Sequence, residues 1–220
     1  MRSAKNLIAR EGLGLILISV AISIAFLLLA FLAKARAGLV LASLCSLATL
    51  FLLYFFRDPE RIIPGEPNLI VSPADGRVLG IEPAVQNNFL GGAGTRVSVF
   101  LTPLDVHVIR SPIEGMVQYV FYQKGSFKAA YKSEASIKNE NLELGLVARE
   151  GRIVLRQIAG FLARRIVCQV KEFDQLSRGA RLGVIKFGSR VELILPAGVE
   201  IKISKEQKVR AGKTVIGVLK

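Results

Sequence analysis

Ser72-Pro73-Ala74-Asp75-Gly76-Arg77-Val78 returns later in the chain as Ser111-Pro112-Ile113-Glu114-Gly115-Met116-Val117. In both copies Pro and Gly stand in a turn just before an apolar run, which is how a chain enters a hairpin. Leu195-Pro196-Ala197-Gly198-Val199 repeats part of the pattern. Such an internal echo is expected where chain segments enter similar hairpins. Between such turns lie short runs rich in Val, Ile, Phe and Tyr, the residues that favour strands: Arg96–Leu101, Met116–Tyr122, Ile153–Ile158, Arg165–Val170, Val191–Leu195, Glu200–Ile203 and Thr214–Leu219. Beyond residue 56 no stretch holds a helical period for three turns, although Ser126–Lys138 has room for a short helix.

The C-terminal run Val199–Leu219, with Val209, Gly212 and Val215 spaced V-x-x-G-x-x-V, resembles half of a biotinyl/lipoyl-type barrel. No lysine stands in the Met-Lys-Met or Asp-Lys-Ala context that such carriers use, so swinging-arm chemistry is not expected. The fold class read from the chain is mainly β. It is a barrel-sandwich-hybrid-like domain with biotinyl/lipoyl-like halves, preceded by an N-terminal hydrophobic helical hairpin.

That hairpin is read from residues 1–56. Leu13–Ala33 gives 21 residues without a charge and Ala37–Phe56 gives 20 more, with only Lys34-Ala35-Arg36 between them. Either run can span a hydrocarbon core about 30 Å thick. A signal peptide has a shorter apolar region and is not followed at once by a second one. Arg2, Lys5 and Arg10 precede the hairpin and Arg57 and Arg61 follow it, against two basic residues at its turn. The excess of basic flanks puts both ends, and the following domain 57–220, on the cytoplasmic side of the cell membrane. A hairpin dipping into one leaflet has the same sequence pattern.

The 220 residues carry 30 Lys+Arg against 17 Asp+Glu, a net charge of +13. Five basic and one acidic residue lie in the anchor, so the domain keeps +9. Such a charge suits nucleic acid or the anionic cytoplasmic leaflet, and a domain tethered by a hairpin already lies against headgroups. An anionic membrane surface is therefore the expected partner, and nucleic acid is not. One His and two separated Cys give no zinc ligand set and no disulfide framework.

Three segments have residues suited to chemistry. Asp75 in Ser72–Gly76 is by itself an ordinary turn Asp. His107, in Leu101–Pro112, is flanked by apolar residues, where a histidine is usually structural. It is also the one side chain here whose ordinary pKa suits proton transfer near neutrality. Gly188-Ser189, within Ile185–Val191, is by itself a hairpin turn, and Gly125-Ser126 is a second such dipeptide.

Taken together and in order, these segments resemble the phosphatidylserine decarboxylases, more closely their short, archaeal-type membrane form. Phe55-Phe56-Arg57-Asp58-Pro59-Glu60-Arg61 with Ile63-Pro64, Ser72–Gly76, Phe100–Pro112 and Phe187-Gly188-Ser189-Arg190 carry the likeness, which covers most of residues 50–220. It implies a proenzyme cut between 188 and 189 into a large chain 1–188 and a bound small chain 189–220. Ser189 would become a pyruvoyl cofactor, needing neither metal nor pyridoxal phosphate. That group would take phosphatidylserine as a Schiff base and release CO₂ and phosphatidylethanolamine. Asp75, His107 and Ser189 would be the catalytic residues. Longer members of the family carry a second histidine where this chain has Arg110, so either His107 serves both cleavage and decarboxylation or Asp75 acts more directly on Ser189. Arg110 is a candidate for binding a substrate carboxylate or phosphate. Tyr119–Tyr131 interleaves aromatics with Lys124 and Lys128, which suits a lipid-facing lip. A homo-oligomer is compatible with the sequence. Competing readings are a decarboxylase of the archaeal diether analogue, a non-catalytic membrane-anchored adaptor, and a serine hydrolase. The last lacks a Gly-x-Ser-x-Gly elbow around Ser189.

Overall fold

The computed structural model describes residues 7–34, 36–126, 138–160, 166–186 and 189–219, with the Ala84 side chain excepted. The chain divides into two compact units, Met1–Glu60 and Arg61–Lys220.

The first unit is a helical hairpin, α1 (Arg10–Ala33) and α2 (Arg36–Phe55). Lys34 adopts the left-handed conformation (φ 49°) and its N–H bonds to the Ala30 carbonyl, ending α1. Small residues form the seam. A Cβ on Gly38 would lie 2.7 Å from the Ala30 Cβ, and one on Gly12 would strike the Phe56 ring. The hydroxyls of Ser19 and Thr49 meet at 2.7 Å across the pair, a polar contact of the kind that joins helices where water is scarce. Leu and Phe side chains such as Leu28, Phe31, Leu32, Leu47 and Leu50 point outward and are exposed. The Ala9 N–H bonds to the Phe56 carbonyl and the Asp58 N–H to that of Leu7, so the chain enters and leaves the hairpin at the same end. Two apolar helices of this length are compatible with membrane association.

The second unit is mostly β. Its strands are β1 (Leu69–Val71), β2 (Gly76–Asn87), β3 (Gly92–Leu101), β4 (Val108–Arg110), β5 (Gly115–Gln123), β6 (Asn141–Ala148), β7 (Gly151–Ala159), β8 (Ile166–Cys168), β9 (Gln175–Leu176), β10 (Arg181–Ile185), β11 (Ser189–Pro196), β12 (Glu200–Ile201), β13 (Lys208–Val209) and β14 (Val215–Val218). Among the described residues, an eight-stranded sheet has the order β13-β2-β3-β11-β7-β6-β5-β9, and two three-stranded sheets have the orders β1-β14-β12 and β4-β10-β8. One apolar core, including Val78, Val99, Leu101, Val117, Leu144, Leu155, Val191 and Leu193, joins them.

These orders read the same from both ends. β13-β2-β3-β11 is matched by β9-β5-β6-β7, and β1-β14-β12 by β4-β10-β8. The register agrees as well. β2 bulges against β3 between Val78 and Gly80, and β5 bulges against β6 between Val117 and Tyr119, at equivalent places. The recurring turns are equivalent in detail. The Ser72 hydroxyl donates to the Ala74 carbonyl and that of Ser111 to the Ile113 carbonyl, each at 2.7 Å. Ser72 N–H bonds to the Thr214 carbonyl and Gly212 N–H to that of Ser72. Likewise Ser111 N–H bonds to the Ala180 carbonyl and Gly179 N–H to that of Ser111. Gly179 and Gly212 both need positive φ (75° and 70°), which glycine adopts without a steric penalty. The β domain is thus two similar halves, and the repeated turn marks the equivalent place in each. One half is β4–β10. The other is β1–β3 with β11–β14, and the first is inserted between β3 and β11. Where β6 and β7 are joined by a short turn at Arg149-Glu150, β3 and β11 are separated by the whole inserted half. The helix allowed over Ser126–Lys138 falls mainly outside the described residues.

Candidate active site

Ser189 opens β11, the strand where the two halves meet. It faces Leu101 on β3 and Ala159 on β7. Side chains alternate along a strand, so Ser189 shares a face with Val191, Leu193 and Leu195, all in the core. It is fully buried, and its Oγ has no hydrogen-bond partner among the described residues.

The opposite face of β11 fixes this placement. Arg190 and Glu192 are buried there, with the Arg190 guanidinium 2.8 Å from both Glu192 and the Ser98 hydroxyl. Arg156 stands opposite Glu192 and donates through Nε to Glu143 on β6 at 2.8 Å. Glu143 in turn accepts the Tyr119 hydroxyl at 2.6 Å. Burial, then the Glu143 carboxylate, push the Tyr119 phenol well above its ordinary pKa. Further along, Arg96 pairs with Glu82. A one-residue slip of β11 would bury these charges in the apolar core and turn Ser189 out of it, so the ladder of charges locks the register.

The start of β11 lies at the same end of the sheet as several other strand ends. Gly76, the start of β2, packs so closely on β3 that a Cβ there would lie 2.1 Å from the Phe100 carbonyl oxygen. The start of β2 is therefore separated from Ser189 by β3, and Asp75 lies in the turn just before β2. Its carboxylate is held at both oxygens by the Arg61 guanidinium, at 2.9 and 2.8 Å, and by the Ala211 N–H at 2.8 Å. Neither His107 nor Ser189 hydrogen-bonds to it among the described residues. His107 follows Leu101 in the loop leading to β4 and is almost fully buried. Its backbone carbonyl accepts the Ile185 N–H, just upstream of Ser189. The ring Nδ1 lies 2.9 Å from the Asp105 carbonyl. A carbonyl can only accept, so Nδ1 carries the proton and Nε2 is the basic nitrogen of the neutral ring.

Arg110, the last residue of β4, is half-buried. Its N–H bonds to the Pro73 carbonyl in the Asp75 turn, and its guanidinium donates to the Gly179 carbonyl at 3.1 Å. Lys124 is exposed just past β5 at this same end of the sheet, beside exposed Phe121 and Tyr122. Tyr119 instead turns to Glu143, on the charged face of the sheet. Gly188 and Lys128 lie outside the described residues. The structure thus brings Asp75, His107, Ser189 and Lys124 to one end of the sheet, without joining the first three in a hydrogen-bonded relay. Arg61, Asp75's partner, stands out in the sequence only as a basic flank and motif residue, and its pairing follows from the fold alone. Among the described residues no group of three or more His, Cys, Asp or Glu side chains is arranged to hold a metal.

Comparison with known proteins gives consistent matches. The sequence model of the family described as Phosphatidylserine decarboxylase matches residues 48–217. A phosphatidylserine decarboxylase proenzyme of Symbiobacterium thermophilum is 44% identical over 216 residues, covering 98% of this chain and 97% of the relative. Proteins of the same name from Carboxydothermus hydrogenoformans (45% identity over 82% of this chain and 85% of the relative) and Chlorobium limicola (44% over 76% and 78%) are also similar.

Proposed function

The chain belongs to the phosphatidylserine decarboxylase family, and we propose that it is a self-processing member that converts phosphatidylserine to phosphatidylethanolamine and CO₂. The observation that carries this reading is Ser189: a hydroxyl buried in an apolar setting with no partner among the described residues, at the first position of the central strand. A buried hydroxyl left without a bond is a cost to folding, and the proposed chemistry uses it.

In self-cleavage Ser189 Oγ attacks the Gly188 carbonyl carbon, giving up its proton to a base. The peptide C–N bond breaks as the amine takes a proton, and an ester replaces the amide. Loss of the Ser189 Cα proton then breaks the Cβ–Oγ bond and releases Gly188 as a carboxylate. Addition of water to the resulting dehydroalanine, with loss of ammonia, leaves a pyruvoyl group at residue 189. We assign the base to His107 Nε2, because Nδ1 is held as a donor by Asp105. Asp75 we assign a positioning role: paired with Arg61, it fixes the turn that begins β2 and the loop at Ala211.

A pyruvoyl group is small and uncharged, and the buried, apolar walls at Leu101, Ala159 and Val191 suit it. When present it supplies the electron sink that loss of CO₂ from an amino acid demands. The protein's part is to exclude water, through the core around Ser189, and to return a proton to the α-carbon, for which His107 is the assigned donor. Arg110 and, at the rim, Lys124 and Lys128 are assigned to the lipid phosphate. The apolar hairpin holds the domain, of charge +9, at the cytoplasmic face of an anionic membrane.

The test is a denaturing gel and intact mass of the purified chain. Wild type gives pieces of roughly 20 and 3.5 kDa by length, the smaller without a free amino terminus, and releases CO₂ from phosphatidylserine. Ser189→Ala stays as one chain of 23.9 kDa. Wild type found intact, or cut at Gly125-Ser126, would overturn the reading. Arg110→Lys with unchanged cleavage and turnover would remove Arg110 from the phosphate.

A further inference from the structure

Gln157 is buried completely, yet neither its Nε2 nor its Oε1 makes a hydrogen bond of normal geometry. It lies on β7 with Val191 opposite on one side and Leu142 on the other, and alternation puts it on the core face with Leu155 and Ala159. Since Ala159 faces Ser189 and Gln157 faces Val191, Gln157 is the diagonal neighbour of Ser189 on the same face of the adjacent strand. Diagonal pairs are within reach of a long side chain. Among the described residues, the Ser189 Oγ and both ends of the Gln157 amide are thus buried with no partner at normal hydrogen-bond geometry. The Cys168 thiol is within reach of the Gln157 amide: burial raises the thiol's pKa, and a loose hydrogen bond with Gln157 works against that rise. A thiol is a weak partner for an amide.

An amide is costly to bury unpaired, and an apolar side chain of the same length would pack in its place without that cost. The missing partner is therefore expected to be a molecule that enters next to Ser189. Resting on the proposed function, that molecule brings an amine, which meets the group at residue 189, and a carboxylate, which has no other partner assigned. We propose that Gln157 binds the substrate's carboxylate, its Nε2–H donating to a carboxylate oxygen, and so selects a serine headgroup over ethanolamine. A neutral donor suits a reaction in which this carboxylate departs as CO₂. A cation would hold the charged ground state more tightly than the transition state, in which the charge is leaving, and would slow the step. Arg110, whose guanidinium donates to the Gly179 carbonyl and whose N–H bonds to that of Pro73, is left to the phosphate assigned to it above.

The test uses the full chain after self-cleavage, with its ketone reduced by borohydride so that lipid binds without turnover. Binding of short-chain phosphatidylserine and short-chain phosphatidylethanolamine is measured by calorimetry for wild type and Gln157→Met. Wild type should prefer the serine lipid. Gln157→Met should still cleave itself, melt no lower than wild type, and lose that preference at least 10-fold through weaker binding of the serine lipid alone. Unchanged preference, or equal weakening for both lipids, overturns the proposal. Should Gln157→Met fail to fold, Gln157→Asn, whose amide falls short by one methylene, must show the same selective loss, and normal preference there is equally fatal. Failure of wild type to cleave or to release CO₂ would instead count against the proposed function itself.

Discussion

At the scale of single residues, the site rests on a few polar side chains whose partners are set by the fold. Arg61 and Asp75 form a nearly buried pair, their side chains 10% and 14% exposed. Removing one member of such a pair strands the other charge, at a cost of about 3 kcal/mol. Arg61→Met is expected to lower the melting temperature by on the order of 10 °C for a domain of this size. Arg61→Met with Asp75→Leu should recover most of that loss, while self-cleavage stays slow. Thermal melts and a cleavage time course on the same samples check both halves. Asp75 and Ser189 are legible as candidates in the sequence because each sits in a short motif in the expected order. The pairing of Asp75 with Arg61 is not legible, because fourteen positions of chain must fold back before they meet. Gln157 is invisible for a different reason. A glutamine in a strand pattern reads as a solvent-facing position, and only the register of β7 against β11 turns it inward.

Among elements, β11 carries most of the consequence. Its core face supplies Ser189 and its other face the Arg190–Glu192 ladder, so one strand couples Ser189 to a charge network. Glu192 is wholly buried, with Arg190 at 2.8 Å and Arg156 at 3.7 Å. Glu192→Ala should cost about 3 kcal/mol and slow self-cleavage, because the register that holds Ser189 inward is weakened. Glu192→Gln, which can still accept a hydrogen bond, should be milder. Urea denaturation and a cleavage gel give the two readouts. The run Val191–Leu195 reads as a strand from β-branched and apolar content alone. Its central position does not, since Arg190 and Glu192 would ordinarily mark a solvent-facing side. The repeated Ser-Pro-x-Asp/Glu-Gly turn, in contrast, is legible as a recurring entry into a strand, because turn chemistry is local. Which half is inserted into the other is a matter of long-range pairing that no local pattern encodes.

For the molecule as a whole, cutting before Ser189 would leave a 32-residue piece holding β11, β12, β13 and β14. Those strands pair with β3 and β7, with β14 and β1, and with β2, and Val191, Leu193, Leu195, Val209 and Ile216 lie in the common core. The small chain should therefore co-elute with the large one on size exclusion in mild detergent and part from it only in denaturant. Separation under native conditions would show that the sheet does not survive the cut.

The insertion of one half between β3 and β11 also sets a clock. On the ribosome β3 is made early, but its neighbour β11 appears only after the entire inserted half, in the last stretch of the chain. The setting that buries Ser189 needs β3, β7 and β11 side by side, so it cannot form before β11 has been made. On the proposed reading, self-cleavage therefore waits until β11 has paired with both of its neighbours.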